Sequence, residues 1–172
     1  MIIFISFIKS NYYIGGKDWY ISFHYSIDML ETIKDFIENV TEIWVTTGPG
    51  SFISNRSILA FLKGIVIIKK SIKLYNYNIL NLIYENKNNH LYFFVELDRF
   101  VYYKEENKIY LTYLDKFIQH LKKINKISIG NHIIAQKFID INFFFLFSLI
   151  ENKKSYLKSS TNIEYCDKFI DN

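Results

Sequence analysis

The chain has 172 residues, of which half are apolar and 22% charged, a composition that excludes intrinsic disorder and fits a soluble globular protein. This length suits one compact domain or two small lobes. Its 21 Lys and Arg and 17 Asp and Glu leave a net charge of +4 without any block of like charges, which predicts a weakly basic surface and no nucleic-acid arm.

Met1 to Phe7 reads as a first strand, and the run through Ile8 lacks the basic start and small-residue cleavage site of a signal peptide. Asn11 to Phe23 follows as a hairpin, with Gly15 and Gly16 expected to supply the positive-φ positions of a tight turn. An amphipathic helix is predicted over 26–39, with Leu30, Ile33, Ile37 and Val40 on one stripe and Asp28 and Glu31 as a capping pair. Glu42 to Thr47 is a short strand, and a second helix spans about 54–68. Ser71 to Tyr75 reads as a strand and Ile79 to Tyr84 as a helix. The polar stretch 86–89 is the best lobe boundary, dividing the chain into 1–87 and 88–172. His90 to Glu96, Arg99 to Glu105 and Lys108 to Leu111 form an antiparallel meander, followed by a helix over 114–124. Ile127 to Ile129 is a short strand ended by Gly130, and the remainder reads as helix plus a polar tail. No internal repeat is visible. The apolar run Phe143 to Ile150 falls far short of the ~20 residues that span a bilayer, so no transmembrane helix is expected.

The only cysteine, Cys166, permits no internal disulfide and no cysteine-rich zinc site, which predicts a reducing, cytoplasmic setting. His24, His90, His120 and His132 are scattered without metal-ligand spacing. Ile, Lys, Asn, Phe and Tyr dominate, residues whose codons are written almost entirely in A and T, so the genome is expected to be AT-rich. That bias also accounts for the many Phe and Tyr without a base-stacking platform. It disfavours proline and glycine, yet the single proline, Pro49, lies in Gly48-Pro49-Gly50-Ser51-Phe52, close before Gly64.

A strand, this loop and a helix make a turn in which glycine allows close approach of the backbone and Pro49 fixes one φ. Amide groups at the helix start and Arg56 in its first turns form a potential anion site, although a plain strand-to-helix turn explains the loop equally well. A Walker loop is excluded by the missing Gly-Lys-Ser/Thr ending. Ser51 lacks the Gly-x-Ser-x-Gly setting of a nucleophile and reads as a capping residue.

The stretch Thr46 to Gly64, TTGPGSFISNRSILAFLKG, resembles the signature of the TsaB family, GPGSFTGLR-x-G-x-x-x-AKG. Gly48, Pro49, Gly50, Ser51, Phe52, Arg56, Lys63 and Gly64 fall at matching spacing. The match departs at Ser54-Asn55 and Ser57-Ile58, where the family carries Gly-Leu and Ile-Gly. Weaker likenesses lie at Tyr25-Ser26-Ile27, at Asp98-Arg99 with Val101-Tyr102, and at Tyr156-Leu157-Lys158. The chain is shorter than typical members, mostly in its second half.

The resemblance implies an α/β fold of the actin-like ATPase class, related to RNase H: two lobes, each a mixed sheet flanked by helices, the second shortened. It implies an accessory subunit of the bacterial machinery that installs threonylcarbamoyladenosine on tRNA, paired with a TsaD-like catalytic subunit and a TsaE-like ATPase. Such a subunit touches tRNA only indirectly and has no cofactor and no membrane role. The residues agree with an absent nucleotide chemistry. Where an ATP-dependent relative carries a metal-binding carboxylate on its first strand, this chain reads Ser6-Phe7-Ile8. The resemblance further implies that the first two helices meet the partner, with Leu30, Ile33, Ser57, Ala60 and Gly64 as the expected interface. The small side chains of Ser57, Ala60 and Gly64 suit close helix approach, whether by a partner or by the chain's own sheet. The alternatives from the sequence are a small-molecule kinase or ATPase of the same fold, and a self-associating or relic protein without TsaD.

Overall fold

The computed structural model describes residues 1–8, 11–46, 48, 52–84, 89–105, 108–153 and 168–169. Its first half runs β1 (Ile2–Ile8), β2 (Asn11–Gly15), β3 (Tyr20–Phe23), α1 (Ser26–Phe36) with a 3-10 turn to Asn39, β4 (Glu42–Thr46), α2 (Phe52–Ile68), β5 (Lys73–Tyr77) and α3 (Ile79–Ile83). The strands form a sheet in the order β3-β2-β1-β4-β5. β1, β2 and β3 are antiparallel neighbours, while β4 and β5 run parallel to β1. As the central strand, β1 is apolar on both faces, the pattern of a strand covered on two sides. Ile3 and Ile5 pack with Met29 and Ile33 of α1 and Ile58, Leu59 and Leu62 of α2. Phe4 and Ile8 point the other way.

The second half repeats this plan. β6 (His90–Glu96), β7 (Phe100–Glu105) and β8 (Lys108–Tyr113) form an antiparallel meander, followed by α4 (Leu114–Leu121), β9 (Ile127–Gly130), β10 (Lys137–Phe138), α5 (Phe143–Lys153) and β11 (Lys168–Phe169). The sheet order is β10-β9-β6-β7-β8-β11, with β9 parallel to β6 and β10 parallel to β9. Strand for strand it is the first sheet again, extended by β11 along β8. Where α2 joins β4 to β5 in the first half, residues 131–136 alone join β9 to β10. The sequence shows no repeat because the two halves share the alternation of buried faces and the order of elements rather than residue identities.

α3 and α5 fill the space between the sheets. Phe143 lies 4.9 Å from Phe4 and Phe147 5.4 Å from Trp44, ring centre to ring centre, in a core that also takes in Leu80 and Ile83 of α3, Tyr92 and Phe94 of β6 and Ile129 of β9. α3 follows the first sheet in sequence but packs on β6 and β7 of the second, and α5 follows the second but packs on β1 of the first.

Four sequence expectations are corrected. The β2–β3 hairpin forms, closed by Gly16 N donating to Trp19 O at 2.9 Å, but neither glycine there has positive φ; among the described residues the only such glycine is Gly48. Gly15 is required by crowding instead, since a Cβ there would collide with the Trp19 carbonyl and with Tyr20. Asp28 and Glu31 do not cap α1: the cap position is Tyr25, without a side-chain hydrogen bond, and Asp28 already lies in the first turn. β5 begins two residues later than expected, because Thr41 O fixes Lys73 N at 3.0 Å as its first sheet contact. Gly130 belongs to β9, and β10 was not foreseen, its two residues being too few to show alternation. The expected boundary at 86–89 lies mostly outside the described residues.

Candidate partner-binding surface

β4 carries Ile43 and Val45 into the core beneath α1 and α2 and Trp44 into the core between the sheets. The chain then turns at Gly48, buried with φ 132, a conformation that a β-carbon disfavours. Its carbonyl accepts a 2.6 Å hydrogen bond from Ile79 N, at the start of α3, where Asn78 Oδ1 accepts from Leu80 N at 2.9 Å. The signature loop is thereby tied to the helix that enters the second half. Pro49, Gly50 and Ser51 lie outside the described residues, as does the side chain of Phe52, the first residue of α2.

α2 sorts its residues by face. Ile58, Leu59 and Leu62 are buried against the sheet, with Phe61, Ile65 and Val66 half-buried beside them. Arg56, Ser57, Ala60 and Lys63 are exposed, and a Cβ built on Gly64 would meet nothing within 4 Å. Ser57, Ala60 and Gly64 recur at helical spacing and so form one outward strip, rather than a seat for the chain's own sheet. It runs on into Ile67 and Ile68, which are 73% and 83% exposed. On α1, Leu30 is half-buried against the core and Ile33 is 1% exposed within it, which takes Ile33 off any outer surface. Tyr25 and Ile27, at the start of α1, are exposed instead. The sequence reading missed Ile67, Ile68, Tyr25 and Ile27. The signal for two of them was present: Ile65 to Ile68 is an unbroken apolar run, more than one buried helix face can hold.

The remaining candidates are dispersed. Ser6 is buried on the inner face of β1, and Thr46 is buried at the end of β4. Neither hydroxyl has a hydrogen-bond partner among the described residues. One strand over, burial pushes the Tyr77 phenol up to about 12, with the neighbouring Tyr75 and Glu42 adding to the effect. In the second half, burial chiefly, then Glu105 and Tyr110, raises Tyr103 to about 12. His24 is exposed, His90 Nδ1 lies 3.3 Å from the Tyr92 hydroxyl, His120 Nε2 lies 3.7 Å from Glu105 and His132 Nε2 lies 3.8 Å from Asp98. Among the described residues no three His, Cys, Asp or Glu gather as metal ligands, and no helix is long and apolar enough to cross a membrane.

No protein-family model matches the chain, and no curated protein matches it. Among solved structures it is similar to a crystal structure of an uncharacterized protein with similarity to the peptidase YeaZ from Pseudomonas aeruginosa. The two share 10% identity over 93% of this chain and 94% of that one, with a TM-score of 0.54. A structure of YeaZ from Pseudomonas aeruginosa aligns over 64% of this chain and 63% of its own, at 14% identity and a TM-score of 0.41. The first likeness covers both sheets and establishes the fold as the actin-like, RNase H-related class of two mixed sheets flanked by helices.

Proposed function

We propose that the chain is a non-catalytic scaffold that activates a TsaD-like subunit, with a TsaE-like ATPase as a further partner, in the threonylcarbamoylation of adenosine next to the anticodon of tRNA. The fold shared with a YeaZ-like protein supports this reading, YeaZ being TsaB, as does the signature at 46–64. The observation that carries it is Gly64. A glycine inside a helix costs about 0.5–1 kcal/mol relative to alanine, and none of the described residues approaches it closely enough to require the missing Cβ. A helix laid along Ser57, Ala60 and Gly64 supplies the reason, because small residues let two axes come within about 8–10 Å. Ile67 and Ile68 then add apolar area at one end of the contact.

Copurification with the TsaD-like protein of the same organism tests the pairing. Gly64→Leu and Ala60→Leu are expected to abolish capture while leaving the melting temperature unchanged or higher, since both side chains project into open space. Folded variants that capture the partner as well as wild type refute the interface. The isolated chain is expected to show no ATPase or transferase activity, and turnover that persists after exhaustive purification and falls on Ser6→Ala would overturn the scaffold reading.

A further inference from the structure

We propose that β3, the open edge of the first sheet, pairs antiparallel with β3 of a second copy of this chain. The sheets end at β3 and β5 in the first half and at β10 and β11 in the second. β5, β10 and β11 each begin with a lysine, at Lys73, Lys137 and Lys168, a residue that discourages edge-to-edge pairing. β3 reads Tyr20-Ile21-Ser22-Phe23, without charge or proline. Trp19, Tyr20 and Ile21 are 36%, 46% and 41% exposed, so this edge is open to solvent.

The repeat of the fold shows the equivalent edge in its paired state. β8 stands in the second sheet where β3 stands in the first, and β11 runs along it, Lys168 beside Tyr110 and Phe169 beside Leu111. Among the described residues β3 has no such neighbour.

The backbone restricts the register that a second copy can adopt. Gly16 N donates to Trp19 O, which makes these two a hydrogen-bonded pair. The ladder continues with Gly15 opposite Tyr20, Ile14 opposite Ile21 and Tyr13 opposite Ser22, and hydrogen-bonded and non-hydrogen-bonded pairs alternate along it. Trp19, Ile21 and Phe23 therefore turn their amide groups to β2, while Tyr20 and Ser22 turn theirs outward. A two-fold axis at Ile21 sets Tyr20 of each copy opposite Ser22 of the other and satisfies all of these outward groups. A shift by one residue would face outward amides with inward ones, and a shift by two would set Tyr20 or Ser22 opposite a residue outside the strand.

The side chains agree with that axis. It sets Ile21 against Ile21, Trp19 against Phe23, and the ring of Tyr20 against the small Ser22, pairs that suit cross-strand contact. Just beyond the strands it brings Asp18 opposite His24. Both are exposed, and neither has an ion-pair partner among the described residues. An imidazole N–H donates to a carboxylate in either protonation state. The edge is thus its own complement in amides, side-chain size and charge, which selects a second copy over a peptide of unrelated sequence. α1 packs on β2 and β3 and α2 on β5, so the strip of Ser57, Ala60 and Gly64 lies away from this edge and the proposal does not depend on the scaffold reading.

Sedimentation equilibrium of the purified chain should show a reversible, concentration-dependent dimer. Ser22→Pro removes an outward N–H and spares the ladder to β2, so it should raise the dissociation constant at least about tenfold, with a thermal melt confirming the fold. In a Cys166→Ser background, Ile21→Cys should form an intermolecular disulfide on mild oxidation. A residue on the axis meets itself across a non-hydrogen-bonded pair, at a Cα separation of about 4.5 Å. Ser22→Cys, which faces Tyr20 of the other copy, should not cross-link. A chain that stays monomeric at its highest soluble concentration, or one that cross-links equally through Ile21→Cys and Ser22→Cys, overturns the proposal. So does a dimer that Gly64→Leu abolishes and a folded Ser22→Pro leaves intact, since it would be built on α2. If Ser22→Pro fails to fold, the two cysteine variants decide.

Discussion

The two sheets share one plan, yet they solve the same covering problem with different means. The outer face of the first carries two helices, and Val45 of β4 lies beneath them beside Ile5 of β1. The second has α4 but no counterpart of α2, and the residues at the same register are Gly130 and Phe93. Phe93 is fully buried, stands 5.0 Å from Phe117 of α4, and leaves no room for a Cβ on Gly130, which would come within 2.6–2.8 Å of its carbonyl and ring. A large ring over a glycine in one sheet answers to two aliphatic side chains under a helix in the other. Volume lost with a helix is thus partly restored by one side chain, as close packing requires.

The largest effect that should break this comparison is Phe93→Ala, expected to cost about 3–5 kcal/mol in urea unfolding, since the ring is fully buried in the cluster that holds α4 to the sheet. Gly130→Ala comes next, at roughly 1–3 kcal/mol from overpacking against the ring and carbonyl of Phe93. The two should be strongly coupled: with Phe93 already truncated, the added methyl finds part of its space vacated and its cost should fall sharply. Additive costs would show that the ring and the glycine do not compensate each other.

A smaller and opposite effect is expected in the first sheet, where Ser6→Ala and Thr46→Val each remove a buried hydroxyl that has no partner among the described residues. Each should stabilise the chain by up to about 1 kcal/mol, because the desolvation of an unmet polar group is relieved. Loss of stability in both would mean that these hydroxyls are satisfied. At neutral pH the smallest effect is that of the two tyrosines with raised pKa values, one in each sheet. Tyr77 and Tyr103 hold their protons to about pH 12 when folded, whereas the unfolded chain releases them near 10. The folded state therefore keeps its full contribution from them below pH 10 and loses it as the pH rises through 12. Melting curves should be flat from pH 7 to 9 and fall above 10, with the fall reduced in Tyr77→Phe or Tyr103→Phe.

The strands of both meanders were legible in the sequence because alternation and β-branched residues report a covered sheet directly, and β6 was read to its ends. The first helix was legible from its stripe, and the second from the strand and glycine loop that lead into it. What was hidden depends on contacts between distant residues. Gly15 looked like a turn glycine, but its need arises from Trp19 and Tyr20 folding back over it. Gly130 looked like a strand terminator, and only the ring of Phe93 explains it. The outward direction of Ser57, Ala60 and Gly64 was undecidable from spacing alone, since a small-residue strip reads the same whether a sheet or a partner lies over it. Ile33 read as a surface anchor because a stripe does not say which of its members touches solvent.

The reciprocal placement of α3 and α5 carries a consequence for the order in which the chain leaves the ribosome. Phe4 and Trp44 are made first, and the rings that cover them, Phe143 and Phe147, follow more than 100 residues later. Until then the inner face of the first sheet must stay wet, loosely collapsed or shielded by a chaperone. The contacts that close it span almost the whole sequence, and their closure is accordingly slow. A nascent chain stalled before α5 should present that apolar face to any holdase at hand, and emergence of α5 should be the event that withdraws it.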